Sequence, residues 1–540
     1  MIVTIRKLKM YKSKGLILTL LLFSFSIVSL NANAKLPIGI NTNEIMQVDP
    51  SVPFVNLFKM AMPFREAKKL TKGRIIYDQD GWPRKLNGGQ AGSYVVHWIP
   101  EGSLPKGRYT VLYDGEGQIT YGGDAKLIHS QPGKDIIELH AGKDKYLQLS
   151  LIIKRSEPQN YLRNIRVLLP GGICANNPFR RVSSARQCRG NYQSFEKYYD
   201  KILFNPDYLK FMKDFKVIRM MNISGITRNP IRSWQDMPQM SKATWAGMEG
   251  VRGAPLEVMV RLANILNRNA WFNLPHAADN QFVRQYALYI KKHLRPHLKA
   301  YIEYTNENWN TVFMQSRYTK KMGLKYKLDR DINQASYKYY SQRAVEIFRI
   351  FEQVFGNTKR LVRVMGVWSA NRYMTPVVME YKGAYRYVDA MAIAPYFFVH
   401  RKALSGVNSV PSVFKLLEDD KKNPYSMNNV YKMIKQQMEY AKKYKVKLIA
   451  YEGGQHLTAP GTHSTRDYPN PYLIGANRAN TMEKFYVDFL NHWNKITGGS
   501  LFVAFSAPRN CQFYGCWGIK EHINEPASKA PKYRALMRFF

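Results

Sequence analysis

Two glutamates 145 positions apart have the setting that chemistry would need. Glu307 lies in Tyr304-Thr305-Asn306-Glu307-Asn308-Trp309-Asn310 and Glu452 in Tyr451-Glu452-Gly453-Gly454-Gln455-His456, each run following a short apolar segment. Paired carboxyls of this kind suit cleavage of a glycosidic bond. One protonates the departing oxygen while the other attacks the anomeric carbon from the opposite face, which requires a separation of about 5–5.5 Å. The acid must hold its proton near neutral pH, through burial or a neighbouring anion, and the nucleophile must stay ionised, which an arginine or tyrosine donor favours. An Asn-Glu dipeptide alone says little. Its place at a strand end, with a second strand-end glutamate, is what carries the signal, against the plainer reading of solvated carboxylates or ion pairs.

Other strand ends supply the supporting groups: Arg219 and Asn222, then Pro275-His276, Trp368 and Pro395-Tyr396. Arg219 either supports Glu452 or forms a structural ion pair, and Tyr396 either reaches the site or packs its ring. His276 and His456 are read as substrate-side histidines or as satisfied loop residues. Glu303 shares strand parity with Glu307 and is read as structural, with Arg219 or Arg363 as its partner. Of the tryptophans in the β-rich stretch, Trp82 and Trp98 either stack on sugars or pack in the core; core packing is expected for both.

The elements that must position these residues are legible as alternation. Short apolar strands at 217–221, 270–274, 300–304, 361–365, 388–393, 446–451 and 500–505 are separated by helical patterns. In one of those patterns Val283, Ala287, Ile290 and Leu294 share a face. Gly356 is expected as a helix C-cap and Pro255 as a first-turn proline. With 36–41 as the missing first strand, the chain reads as a (β/α)8 barrel, which presents its chemistry at the C-terminal ends of the strands. Between 73 and 168, seven β-rich runs punctuated by Asp114-Gly115, Gly122-Gly123 and Pro132-Gly133 read as a β-sandwich inserted after the first barrel strand. The expected divisions are 1–34 leader, 35–72 first strand and connection, 73–168 sandwich, and 169–540 the remaining barrel.

The strand-four Asn306-Glu307 pair with Glu452 ending strand seven resembles clan A of the retaining glycoside hydrolases. The resemblance implies Glu307 as acid/base, Glu452 as nucleophile and Asn306 as holder of the sugar 2-hydroxyl. It further implies Arg219 and Tyr396 as supports of the nucleophile and His276 as a substrate-binding residue. Trp309 and His456, beside the two glutamates in sequence, are expected substrate-binding residues on position alone. The clan's strand-eight tryptophan is not in place here: that end reads Phe505-Ser506-Ala507-Pro508, and Trp517 follows only after Cys511 and Cys516. Either Trp517 folds back over the site or the subsite differs. The extended run from Gly253 through Tyr304 is similar to bacterial proteins often labelled cellulose-binding, a label that does not fix a substrate.

The 540 residues are 45% hydrophobic and 22% charged, enough to bury a large core and to exclude general disorder. Five basic residues, an apolar run from Gly15 to Leu30 and Ala32-Asn33-Ala34 form an export signal with cleavage expected before Lys35. The run is short for a bilayer span, and no later segment has the apolarity of one. The four cysteines pair most simply as Cys174–Cys188 and Cys511–Cys516. No Cys/His spacing resembles a zinc site, and no cofactor is required for carboxylate chemistry. The formal charge of +42 would become +37 on cleavage. Lysine spread over solvated helix faces explains it, and an anionic polysaccharide is the sharper alternative. No nucleic-acid module is recognisable. The expected partner is a polysaccharide or oligosaccharide, with the oligomeric state open. A carbohydrate-binding barrel without catalysis and an envelope-glycan transglycosylase are the competing functions.

Overall fold

The computed structural model describes residues 36–67, 73–228, 230–246, 253–458, 470–511 and 515–540, so the expected leader lies outside the described residues. Eight parallel strands close a barrel in chain order: β1 (Ile38–Asn41), β2 (Val217–Arg219), β3 (Asn269–Leu274), β4 (Ala300–Tyr304), β5 (Leu361–Gly366), β6 (Ala390–Ile393), β7 (Lys447–Ala450) and β8 (Phe502–Ala504). β1 closes the ring by pairing with β2 on one side and β8 on the other. The expected (β/α)8 architecture is present, with every strand end within two residues of its expected position.

Period-two alternation sorts the strand residues. Val217, Trp271, Val364, Ala390, Ala392, Ile449, Tyr451, Leu501 and Val503 form a separate inner cluster, while Ile218, Phe272, Ile302 and Met391 join the larger core shared with the helices. The helix Asn280–His293 starts where the Asp279 side chain accepts from the Phe282 N–H, and it buries Phe282, Val283, Tyr286, Ala287 and Ile290. The helix Ile332–Phe355 ends at Gly356, whose φ of +81° suits glycine. Pro255 departs from expectation by one position. It caps the helix Leu256–Leu266 from outside, because its ψ of 153° is extended and helical geometry begins only at Leu256.

Between β1 and β2 the chain builds two four-stranded antiparallel sheets. One runs Arg65–Glu66, Ala91–Pro100, Tyr146–Ser156, Gly117–Gly123; the other runs Arg163–Leu168, Arg108–Asp114, Lys134–Leu139, Ala125–Gln131. Leu147, Leu149, Leu151 and Ile153 from the first, and Tyr109, Val111 and Ile137 from the second, are the buried halves of alternating strands. The Tyr121 hydroxyl donates across the two sheets to Asp135 at 2.6 Å. Ala125–Gln131 was not expected: it is an edge strand, exposed along most of its length, and carries no apolar alternation to reveal it.

A further small sheet, Asn177–Val182, Gly172–Cys174 and Tyr192–Ser194, leads back toward β2. The disulfide Cys174–Cys188 ties it, closing a loop whose chain-entropy contribution is about 3 kcal/mol. Cys511–Cys516 is the second disulfide. The two sandwich tryptophans separate: Trp82 is buried and stacks on Phe58 with centroids 5.4 Å apart, whereas Trp98 is 60% exposed. Core packing, expected for both, therefore fails for Trp98. Among the described residues no helix is long and apolar enough to cross a membrane.

Candidate active site

The inward residues at the C-terminal ends of the strands are polar, and Arg219 stands at their centre. Fully buried at the end of β2, its guanidinium donates to Glu452 at 2.9 Å, to Glu303 at 2.9 and 3.3 Å, to Asn306 Oδ1 at 3.0 Å and to Asn41 Oδ1 at 3.0 Å. The rings of Trp271 and Tyr451 lie against it, with centroids 5.4 and 4.9 Å from Cζ. Register explains the meeting: Asn41 pairs with Arg219, Arg219 with Trp271, and Asn273 with Glu303 across successive strands. Both sequence readings of Arg219 are thus present together, as it binds Glu452 and also forms a buried ion pair with Glu303.

Glu303 is a barrel-interior group. One of its oxygens accepts from Arg219, from Trp271 Nε1 at 2.8 Å and from Asn273 Nδ2 at 2.7 Å. Burial pushes its carboxyl up, against the pull of those donors. Arg363 is not its partner; that guanidinium pairs with Glu352 and Asp389.

After β4 the backbone breaks strand geometry twice. Thr305 has φ +54° and Glu307 φ +40°, left-handed values that cost a β-branched or bulky residue of order 1–3 kcal/mol each. Hydrogen bonds from around the site hold the turn. Thr305 N–H donates to the Leu274 carbonyl, Asn273 Nδ2 to the Thr305 carbonyl at 2.7 Å, and Gln315 Nε2 to the Asn306 carbonyl at 2.6 Å. The break overturns simple parity, so that Glu303 and Asn306 both reach Arg219. It also turns the Glu307 side chain to Tyr451 and Asn310, which donate to its two oxygens at 2.8 and 2.9 Å.

Glu452 accepts from Arg219 on one oxygen and from the Tyr396 hydroxyl, at 2.9 Å, on the other. Burial pushes the Glu452 carboxyl up to about 8; the Glu307 charge adds to the rise, and Arg219 and Tyr396 oppose it. The hydroxyls of Tyr396 and Tyr451 are raised well above their ordinary value, by burial first and then by both glutamates, so they remain donors. Burial and the Glu307 charge thus both favour a proton at Glu452.

Trp517 folds back. Its carbonyl accepts from Ser506 N–H at 3.0 Å, and its indole Nε1 donates to His456 Nδ1 at 3.0 Å. The His456 ring packs against Tyr396 with centroids 5.3 Å apart, so Trp517, His456, Tyr396 and Glu452 form one continuous wall. Burial lowers His456 to about 4, which keeps it neutral as the acceptor of the indole. Trp309 sits edge-on to Tyr451 at 6.5 Å.

Among the described residues no hydrogen bond or ring contact given by the structure links the remaining candidates to the two glutamates. The His276 ring faces Tyr318 at 5.1 Å, and its carbonyl accepts from Tyr304. Burial lowers it to about 4, and its Nδ1 has no hydrogen-bond partner. Asn222 Nδ2 donates to the Thr42 carbonyl, and Trp368 is 42% exposed. Sequence reading missed Asn41, Trp271, Asn273, Asn310 and Tyr451 as site groups. A polar side chain at inward parity in an otherwise apolar strand was the available sign for Asn41 and Asn273.

No family model matches the chain, and no curated protein matches it. Solved structures similar to it include an arabinofuranosidase of family 51 from Xanthomonas axonopodis pv. citri, at 12% identity over 68% of each chain with a TM-score of 0.41. A family 51 α-L-arabinofuranosidase from Bifidobacterium longum has 10% identity over 62% of this chain and 67% of its own, with a TM-score of 0.40. A Bacteroidetes-affiliated family 5 cellulase has 10% identity over 68% of this chain and 88% of its own, with a TM-score of 0.35.

Proposed function

We propose that the protein is an exported retaining β-glycoside hydrolase acting on a polysaccharide, with Glu452 as nucleophile and Glu307 as acid/base. The observation that carries this reading is the unequal donor set of two coupled acids. Glu452 is held by a guanidinium and a phenol, Glu307 by a phenol and a carboxamide. The reaction needs Glu452 ionised and the proton on Glu307, and the guanidinium and phenol on Glu452 favour that state against the burial that raises it.

Glu452 then forms a bond to the anomeric carbon as the glycosidic C–O bond breaks, and the Glu307 proton passes to the departing oxygen. In the second half Glu307 takes a proton from water, whose oxygen displaces Glu452 from the sugar. Asn306 commits its carbonyl oxygen to Arg219, which leaves its amide N–H group for a sugar hydroxyl. The Trp517–His456 wall is the surface a sugar ring would lie against, in the place of the strand-eight tryptophan. His276, after the end of β3, belongs to the same proposal as a substrate-binding residue. Export, cleavage before Lys35 and the divisions 35–72, 73–168 and 169–540 belong to the same proposal; the two disulfides fit an oxidising compartment.

The test is reducing-end release from neutral and anionic β-glycans by the chain from Lys35 onward, beside Glu452→Gln. Turnover of one polymer that disappears in the variant, with the product's anomeric configuration retained by NMR, is the expected result. Full activity in Glu452→Gln would remove the assignment.

A further inference from the structure

We infer that the aromatic shelf formed by Tyr94, Trp98 and Tyr146 on the sandwich is a second glycan-binding site, holding a stretch of polymer away from the catalytic pair. This inference rests on the reading that the barrel mouth acts on a polysaccharide.

The shelf is built by an irregularity in the sheet. Along the pairing of Ala91–Pro100 with Tyr146–Ser156, Leu147 stands opposite Ile99 but Leu149 opposite Val96. His97 and Trp98 therefore oppose the single residue Gln148, a β-bulge that re-aims a side chain. Trp98 takes φ +55°, a left-handed backbone rare for a bulky residue, and its indole ends 60% exposed. Backbone of this kind persists where the surroundings enforce it and is a mark of functional positions. Tyr94 and Tyr146 are 45% and 37% exposed beside it. Trp98 lies 6.2 Å from Tyr146, with the rings inclined by 34°, and 6.1 Å from His97, nearly parallel at 18°; Tyr94 closes the row 4.9 Å from His97.

A row of exposed rings with polar edges, its Tyr94 end tilted by 47° to His97, matches a pyranose chain, which presents C–H faces to stack and hydroxyls to the rim. The shelf is also anchored to the catalytic face. His97 N–H donates to the carbonyl of Gln47 in the loop after β1. At the end of the same strand, Gly102 lies so close to His522 that a Cβ there would sit 2.6 Å from the ring, and its carbonyl accepts from Asn524. Both partners belong to the segment after β8 that carries Trp517. The strand that carries the shelf is thus tied to the loops after β1 and β8. A second copy of the chain is the poorer occupant: three partly exposed rings fall well short of the roughly 800 Å² per partner of a stable interface.

The experiment is native affinity electrophoresis of the chain from Lys35 onward in gels containing hydroxyethylcellulose, xylan, mannan, polygalacturonate or alginate. Wild type is compared with Trp98→Gly, which suits the left-handed backbone, and with Tyr146→Ala. Retardation by at least one polymer, weakened about tenfold or more in Kd in both variants, is the expected result, with turnover of a short aryl glycoside unchanged. Equal retardation of wild type and variants overturns the shelf, as does no retardation by any polymer. A wild-type dimer that Trp98→Gly converts to monomer in sedimentation also overturns it, in favour of self-association. Binding is read here without turnover. Shelf-dependent retardation by a protein that releases no reducing ends would sink the catalytic reading alone.

Discussion

The barrel mouth and the sandwich each bury acid between strands, and they do so in opposite ways. In the sandwich, Asp135 is held by three neutral hydroxyls, Tyr121 and Ser130 at 2.6 Å and Tyr113 at 3.5 Å, and no cation pairs with it among the described residues. At the barrel mouth, Glu303 and Glu452 share one arginine, and a third acid, Glu307, acts on Glu452 through its charge. Fixed neutral donors satisfy a single carboxylate and leave nothing to exchange. Two acids on one guanidinium, with a third acting on Glu452, outnumber the cation, and burial favours keeping a proton at the site. The difference separates an acid that holds sheets together from acids in the setting that the proposed proton transfer needs.

The largest effect should come from removing the arginine. Arg219→Met leaves two buried carboxylates without their cation, and unfolding in denaturant should show a loss of about 3–5 kcal/mol. Turnover should fall by a factor of at least about 10³, of the order seen when a group of the catalytic unit is removed. Adding Glu303→Gln to Arg219→Met takes away one uncompensated charge and should restore part of the stability with no return of turnover. Recovery of both together would mean that Arg219 serves Glu303 alone and that the barrel mouth resembles the sandwich after all.

Next in size is the pH response. With Glu452 at about 8 beside Glu307, the pair keeps one proton through neutrality, and the rate should fall as pH rises through about 8 and the acid is lost. Glu307→Gln removes a charge that raises Glu452, so the Glu452 titration, followed by carboxyl NMR, should move down from about 8. Stability follows the same shift. Folding favours protonated Glu452, whose ordinary value is 4.5, so that contribution is full below about 4.5 and is lost as pH rises through about 8. The melting temperature of Glu452→Gln should accordingly fall less than that of wild type between pH 5 and pH 8. Identical slopes in the two proteins would show that Glu452 titrates in its ordinary range.

Much of this was legible before any coordinates. Strand ends and helix caps are local, and period-two and period-3.6 patterns placed all eight barrel strands and the positions of Glu307, Glu452, Arg219 and Tyr396 at their ends. Contacts that depend on inter-strand register were not legible. Asn41 and Asn273 look like ordinary strand residues until pairing sets them against Arg219 and Glu303. The left-handed turn at Thr305 and Glu307 left no sign either, since neither residue is a glycine or an asparagine. The fold-back of Trp517 hangs on backbone bonds between Ser506, Trp517 and Ile519 within one long segment, which a linear reading could state only as an alternative. Trp98 misled because core packing was expected from its residue type, whereas it lies at the bulge opposite Gln148, on the same parity as exposed Tyr94.

The smallest effect should appear in the sandwich. Asp135→Asn keeps the side-chain shape and one acceptor oxygen but replaces the other with a donor, which either Tyr121 or Ser130 must then face with its own oxygen. Both hydroxyls can rotate to do so, and no cation is left behind. The cost should therefore stay near 1–2 kcal/mol, within the range for a buried polar contact made less well. Tyr121→Phe should cost a similar amount, and the double variant less than the sum, because the two groups satisfy each other. Turnover should remain within about twofold in all three proteins, and the alkaline limb near pH 8 should not move. A shift of that limb in Asp135→Asn would show that the sandwich acid communicates with the catalytic pair. The contrast between the two regions would then be one of distance rather than of kind.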